Sequence, residues 1–319
     1  MFRRNREASL LARFASMKPP KNAGGLVDLA KEALEGLLDL MPGTEGVDWS
    51  RHRAARWRAG PLGGVLAPLG HLDRIELNDL LGIDDQKAQL VANTEQFVRG
   101  FPANNALLWG ARGTGKSSLV HALLNRYATD GLRLVEVNKE ALVDVATIVA
   151  RLDSEPYRFV LICDDLSFEA DDASYKALKS ALEGSVFTQS ENVVVYATSN
   201  RRHLLPEHMS DNTSAQHVEG ELHEAEAVEE KISLSDRFGL WLSFYPFRQD
   251  GYLRVARHWF ERLAADHDVA ARWDESTRQD ALRWALARGV RSGRTAYHFA
   301  RQRIGALALA RSADGTRAP

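Results

Sequence analysis

GARGTGKS, Gly110 to Ser117, follows the apolar run ALLW at residues 106–109 and opens directly into SSLVHALLNRY. Strand, glycine-rich turn and helix thus arrive in the order that the pattern GxxxxGK[ST] requires. In that arrangement glycines let the main chain wrap phosphate oxygens with N–H groups, and the following helix adds the positive end of its dipole. Gly110, Ala111, Arg112, Gly113, Thr114, Gly115, Lys116, Ser117 and Ser118 are therefore the expected phosphate cradle. Lys116 would reach the β and γ phosphates, and Ser117 would give an oxygen to Mg²⁺. Without its flanking strand and helix the same stretch would read only as a glycine-rich turn.

Downstream, FVLICDD is an apolar run ending in the acids Asp164 and Asp165. In a doubly wound sheet such a strand would lie beside the phosphate-loop strand, with its charges at the ligand end. Asp164 would hold Mg²⁺ with Ser117, and Asp165 would orient or deprotonate the attacking water. The run VVVYAT then leads to Ser199 and Asn200, whose amide could hold that water or simply make a turn.

Around these motifs, apolar runs alternate with helical patterns from Arg74 to Phe247, as βαβ units with a mainly parallel sheet demand. Strands are expected at residues 106–109, 133–137, 159–163, 193–198 and 240–244, with helices starting near Lys116, Lys139 and Asp172. After Phe247 the strand signal ends, and helices are expected at 250–265, 276–288 and 294–310. The fold class is thus α/β: a parallel five-stranded sheet sandwiched by helices, with a small C-terminal helical lid and an N-terminal helical extension. The expected division is 1–70 for the extension, 71–247 for the nucleotide-binding domain, 248–311 for the lid and 312–319 for a flexible tail.

The N-terminal part carries the amphipathic stretch LVDLAKEALEGLLDLM and the breaker clusters PGTEG and GPLGGVLAPLG. Between them RHRAARWR, Arg51 to Arg58, reads as the solvated face of a helix that could also touch phosphates. Basic residues number 41 and acidic ones 43, so no global field draws the molecule to nucleic acid or anionic lipid. The single cysteine, Cys163, excludes an internal disulfide framework and a CxxC site, and reads as buried filler in a strand. With no apolar run near ~20 residues, no membrane span is expected. The first residues lack a secretory signal's apolar region, and the expected compartment is the cytoplasm. Residues 211–230 carry seven acidic side chains and no lysine or arginine, which suits a solvated loop. His203, His208, His217 and His223 around it match no metal-binding spacing.

The order of these elements resembles the AAA+ superfamily of P-loop ATPases. The stretch from about Arg74 to Arg303 more closely resembles an uncharacterised bacterial family of AAA+-like ATP-binding proteins that carries a domain-of-unknown-function label. The segments that carry it are LLGIDDQKAQLVANTEQFVRG, LLWGARGTGKSSLV, FVLICDDLSFE, YATSNRRHLLPEHMSDN, EAVEEKISLSDRFGLWLSFYPF and RSGRTAYHF. The resemblance implies ATP and Mg²⁺ as cofactors, with Leu81, Gly82 and Ile83 bordering the adenine and Asn200 as the sensor-1 residue. It implies that Arg237 is an arginine finger reaching the nucleotide of a neighbouring subunit, with Arg201, Arg202 or a structural Arg237–Asp236 pair as alternatives. Arg294, with Arg291 as fallback, resembles sensor 2. A nucleotide-dependent homo-oligomeric ring, such as a hexamer, is implied, acting on a protein or DNA target. Two departures stand out: Asp165 replaces the usual glutamate, and the segment between Asn200 and Arg237 is long. The expected activity is ATP hydrolysis driving remodelling, and the alternative is a nucleotide-dependent switch or loader-like binding module with little turnover.

Overall fold

The computed structural model describes residues 46–60, 63–168, 172–183, 190–201, 204, 234 and 236–315. The amphipathic stretch at 26–41, the acidic segment 211–230, Arg202, the four histidines around it and residues 316–319 lie outside the described residues. The chain divides into two compact units, and everything below concerns the larger, Gly46–Ala59 with Gly64–Pro319.

The elements run β1 (Ala54–Arg58), β2 (Val65–Pro68), α1 (Asp84–Val98), β3 (Ala106–Gly110), α2 (Lys116–Tyr127), β4 (Leu132–Glu136), α3 (Val145–Leu152) and β5 (Arg158–Cys163). They continue with α4 (Ala173–Glu183), β6 (Val193–Ser199), β7 (Leu240–Phe244), α5 (Gln249–Asp266), α6 (Glu275–Ala287) and α7 (Gly293–Gly315). All five expected strands and the three lid helices form within a few residues of their expected bounds. Lys139 begins a short 3-10 turn, Lys139–Asp144, that runs on into α3.

The sheet has seven described strands in the order β2-β1-β4-β5-β6-β3-β7, so the five-stranded expectation is corrected. The two added strands come from the stretch read as a helix face and from the breaker cluster after it. In β1 the burial alternates, with Ala55 and Trp57 inside and Arg56 and Arg58 outside, which is the period of a strand. β1 joins β4 in parallel and β2 antiparallel. Trp57 donates its indole N–H to Asp144 at 2.9 Å, and Arg56 pairs with Glu136 on β4. Gly64 lies flat on the Trp57 ring, where a Cβ would come within 2.0 Å of it, so the glycine serves close packing. The sheet therefore begins upstream of residue 71.

Because β5 reads Arg-Phe-Val-Leu-Ile-Cys, alternate residues feed opposite cores. Phe159, Leu161 and Cys163 pack with α3 and α4, and Val160 and Ile162 pack with α1 and α2. This is what a near-continuous apolar strand encodes: a sheet covered on both faces. Cys163 is 1% exposed, and burial pushes its thiol up to about 12. The lid has its own core, in which Tyr252, Val255, Ala256, Ala281, Ala296 and Phe299 pack together. No described helix is long and apolar enough to cross a membrane.

Candidate functional site

The C-terminal ends of β3, β5 and β6 meet beneath the lid at a cavity of about 530 Å³. One expectation needs correcting here. The acidic strand β5 does not lie beside the phosphate-loop strand β3, because β6 pairs with both and stands between them. The insertion puts Thr198 and Asn200 midway between the glycine loop and the two acids.

The loop is held open by its own backbone. Gly110 (φ 126°) has no room for a side chain, since a Cβ would sit 2.0 Å from the Phe244 carbonyl oxygen, to which Ala111 N–H donates at 2.9 Å. Gly113 and Gly115 also adopt positive φ, and Gly115 caps α2. Thr114 Oγ1 donates to the Ala111 carbonyl at 2.8 Å. From the lid, Arg294 N–H donates to the Gly113 carbonyl at 3.1 Å. These bonds fix how the loop's amides are arranged.

Lys116 is buried, with Nζ donating to the carbonyls of Gly110 and Ala111 at 2.8 Å each and to Asn200 Oδ1 at 3.2 Å. Burial pulls its ammonium below the ordinary lysine value, and the charges of Asp164 and Asp165 oppose that pull. Asp164 Oδ1 accepts from Ser117 Oγ and from Thr198 Oγ1, both at 2.5 Å. Thr198 Oγ1 in turn accepts the Asp165 N–H at 2.9 Å, so one hydroxyl orients both acids. Asp165 sits at φ 53°, a left-handed conformation that aspartate tolerates better than most side chains, and Asn200 donates to its carboxylate. That backbone is a physical reason for aspartate at this position.

Most of the expected site residues converge. Leu81, Ile83, Arg112, Gly113, Thr114, Gly115, Lys116, Ser117, Ser118, Asp164, Asp165, Asn200 and Arg294 line the cavity. Gly110 and Ala111 form the base of the loop, and Gly82 (φ 76°) packs against the Phe247 ring. Arg237 is elsewhere: it precedes β7, at the end of the sheet opposite the cavity, and pairs with Glu183 at the end of α4. Of the two lid arginines, Arg294 lines the cavity, and Arg291 lends its carbonyl to Phe247 N–H. The sequence reading missed Asp79, Thr198, Trp259, Arg262 and Tyr297, which also line it. Thr198 was findable, lying two residues before Asn200 at the end of β6. Trp259, Arg262, Leu263 and Asp266 share one face of α5, a pattern that sequence alone cannot tell from packing.

The family described as a protein of unknown function (DUF815) matches residues 50–307. No curated protein matches. A point variant of Thermotoga maritima RuvB superposes with a TM-score of 0.50 at 18% identity, over 75% of this chain and 68% of that one. The Thermotoga maritima RuvB Holliday junction branch migration motor gives a TM-score of 0.46 at 17% identity, over 71% of this chain and 63% of that one. The Aeropyrum pernix ORC1 protein, solved in complex with DNA, gives 0.46 at 16%, over 75% and 62%. This chain therefore spans less than two thirds of the length of two of these three neighbours. The fold is that of the AAA+ P-loop proteins, and at such identities the likeness extends to the fold alone.

Proposed function

The chain belongs to the DUF815 family, and from that premise we propose that it is a Mg²⁺-dependent ATP-binding protein that hydrolyses ATP to do conformational work on a macromolecular partner, protein or DNA. The observation that carries this reading is the convergence on one cavity of a preformed glycine loop, a buried lysine and a serine hydroxyl bonded to an aspartate. Amides of the loop and Lys116 would bind the β and γ phosphates. Ser117 and Asp164 bring a hydroxyl and a carboxylate oxygen within 2.5 Å of each other, a hard-oxygen pair that fits Mg²⁺, whose usual sites combine one or two carboxylates with substrate phosphates. Bound there, the cation would neutralise phosphate charge. Asp165, bonded to Asn200, would orient water in line with the γ-phosphate, and Arg294 would carry phosphate charge to the lid. Leu81, Gly82 and Ile83 would border the adenine.

Arg237 is proposed to serve the nucleotide of a neighbouring copy in a ring, such as a hexamer, exchanging Glu183 for phosphate as the ring forms. A cytoplasmic location belongs to the same reading. One observation favours a second reading, a nucleotide-dependent switch with little turnover: Asp165 is short and already engaged by Asn200.

The test is calorimetric titration of the full chain with Mg²⁺-ATP, followed by phosphate release across a range of protein concentration. The expected result is binding, with turnover per chain rising as copies assemble. Binding without turnover in an assembled sample selects the switch. Absence of binding overturns both.

A further inference from the structure

Asp79 is the one acidic side chain buried among the described residues, 3% exposed, and the phosphate chemistry does not use it. It closes the 3-10 turn Leu77–Asp79, where its Oδ2 accepts the Glu76 N–H at 2.7 Å. Its Oδ1 turns the other way and meets the lid. There it pairs with Arg262 and lies 2.9 Å from His258 Nε2, two residues one helical turn apart on α5. Arg262 also reaches the carbonyl of Arg74 at 3.4 Å and stacks over Trp259 at 5.4 Å. Burial works to raise the Asp79 carboxyl, but the bonds from Arg262, the Glu76 amide and His258 outweigh it and hold the group below its ordinary value.

The contacts on either side of this carboxylate give it a role. Leu80 and Leu81, next in the chain, line the cavity, and so do Trp259 and Leu263, beside His258 and Arg262 on α5. At the far end the lid is held to the phosphate loop by Arg294 on Gly113. The lid is thus fastened at two ends by separate devices, one at the phosphates and one beside the segment assigned to the base.

We propose that Asp79 is a positioning residue that clamps helix α5 to the 74–81 segment and so sets the width of the cavity at its nucleoside end. This rests on the nucleotide reading above. The clamp acts on the base and ribose and not on the phosphates, whose cradle is built from the glycine loop and α2. An unclamped lid populates wider arrangements, and a ligand that needs the closed one then binds more weakly by the fraction lost.

The test compares the wild-type full chain with Asp79→Asn, which keeps the shape and the bond from Glu76 but loses the charge that holds Arg262. Affinity is measured for Mg²⁺-ATP and, separately, for Mg²⁺-tripolyphosphate, which has the phosphates without the nucleoside. ATP affinity is expected to fall about tenfold, within the usual range of coupling between elements, while tripolyphosphate affinity is unchanged. Arg262→Gln should reproduce the loss, and the double variant should add nothing to it. Arg262 is 27% exposed, so its replacement spares the core and carries the test if Asp79→Asn does not fold. Equal loss for both ligands, or no loss for ATP in a folded variant, overturns the clamp alone. A wild-type chain that binds neither ligand overturns the nucleotide reading and the clamp with it.

Discussion

Thr198→Val tests the acidic end of the site most directly, because valine has nearly the shape of threonine and only the hydroxyl is lost. Thr198 is 1% exposed and valine fills the same volume, so no new cavity opens where the hydroxyl was. Two bonds disappear: the 2.5 Å donation to Asp164 and the 2.9 Å acceptance from Asp165 N–H. A bond to a charged group contributes roughly 1.5–3 kcal/mol, and a stranded buried amide costs roughly 1–3 kcal/mol. Asp164 and Asp165 both face the open cavity, where water screens them, so each loss falls at the low end. The expected destabilisation is about 2 kcal/mol, a little under the sum of the two low values because the bonds share one oxygen. Thr198→Ser keeps both bonds and loses one buried methyl, about 0.8 kcal/mol. Urea unfolding followed by tryptophan fluorescence measures both variants. The functional readout is ATP affinity across a series of Mg²⁺ concentrations: a carboxylate no longer aimed at Ser117 should shift the Mg²⁺ requirement upward for valine and leave it unchanged for serine. Equal stabilities for the two variants, or a Mg²⁺ requirement untouched by valine, would refute the idea that this hydroxyl aims the acids.

Lys116→Ala removes a buried ammonium whose partners would be phosphate oxygens; losing about 3 kcal/mol of charge-assisted bonding predicts an ATP affinity lower by about two orders of magnitude, read by calorimetry. Gly110→Ala forces a Cβ to within 2.0 Å of the Phe244 carbonyl and gives alanine a φ of 126°. Relieving that clash must break the Ala111–Phe244 bond between β3 and β7, so destabilisation of more than about 3 kcal/mol is expected in urea melts, whereas Gly131→Ala, with φ 93° but open space around it, should lose about 1–2 kcal/mol. Cys163, buried with its thiol pushed up to about 12, should resist iodoacetamide at pH 8 in the native protein and react as soon as urea unfolds it; rapid labelling without denaturant would contradict its placement in the core.

Much of the site could be read in the chain because local chemistry leaves short, contiguous marks. A phosphate loop needs glycines at fixed offsets between a strand and a helix, so residues 106–127 declared themselves. Buried parallel strands are long apolar runs, and the five between 106 and 244 formed within a residue or two of their expected bounds. The stretch around β1 failed for an opposite reason. Ala-Ala-Arg-Trp-Arg is too short to separate a strand's period from a helix's, and its arginines suggested solvent while its tryptophan sought the core.

The sequence by itself determined the glycine loop with its lysine and the paired acids, the helical nature of the lid and the two-faced core, since each follows from residue types and spacings within a few turns of chain. Only tertiary structure decided the order of strands, and with it the position of β6 between the glycine loop and the acids. It alone brought Asp79 to Arg262, joined across most of the molecule, and carried Arg237 to the far end of the sheet beside Glu183. The reason is physical: a pattern along the chain records which face of an element is apolar, but pairing between distant elements depends on how all those faces are buried together.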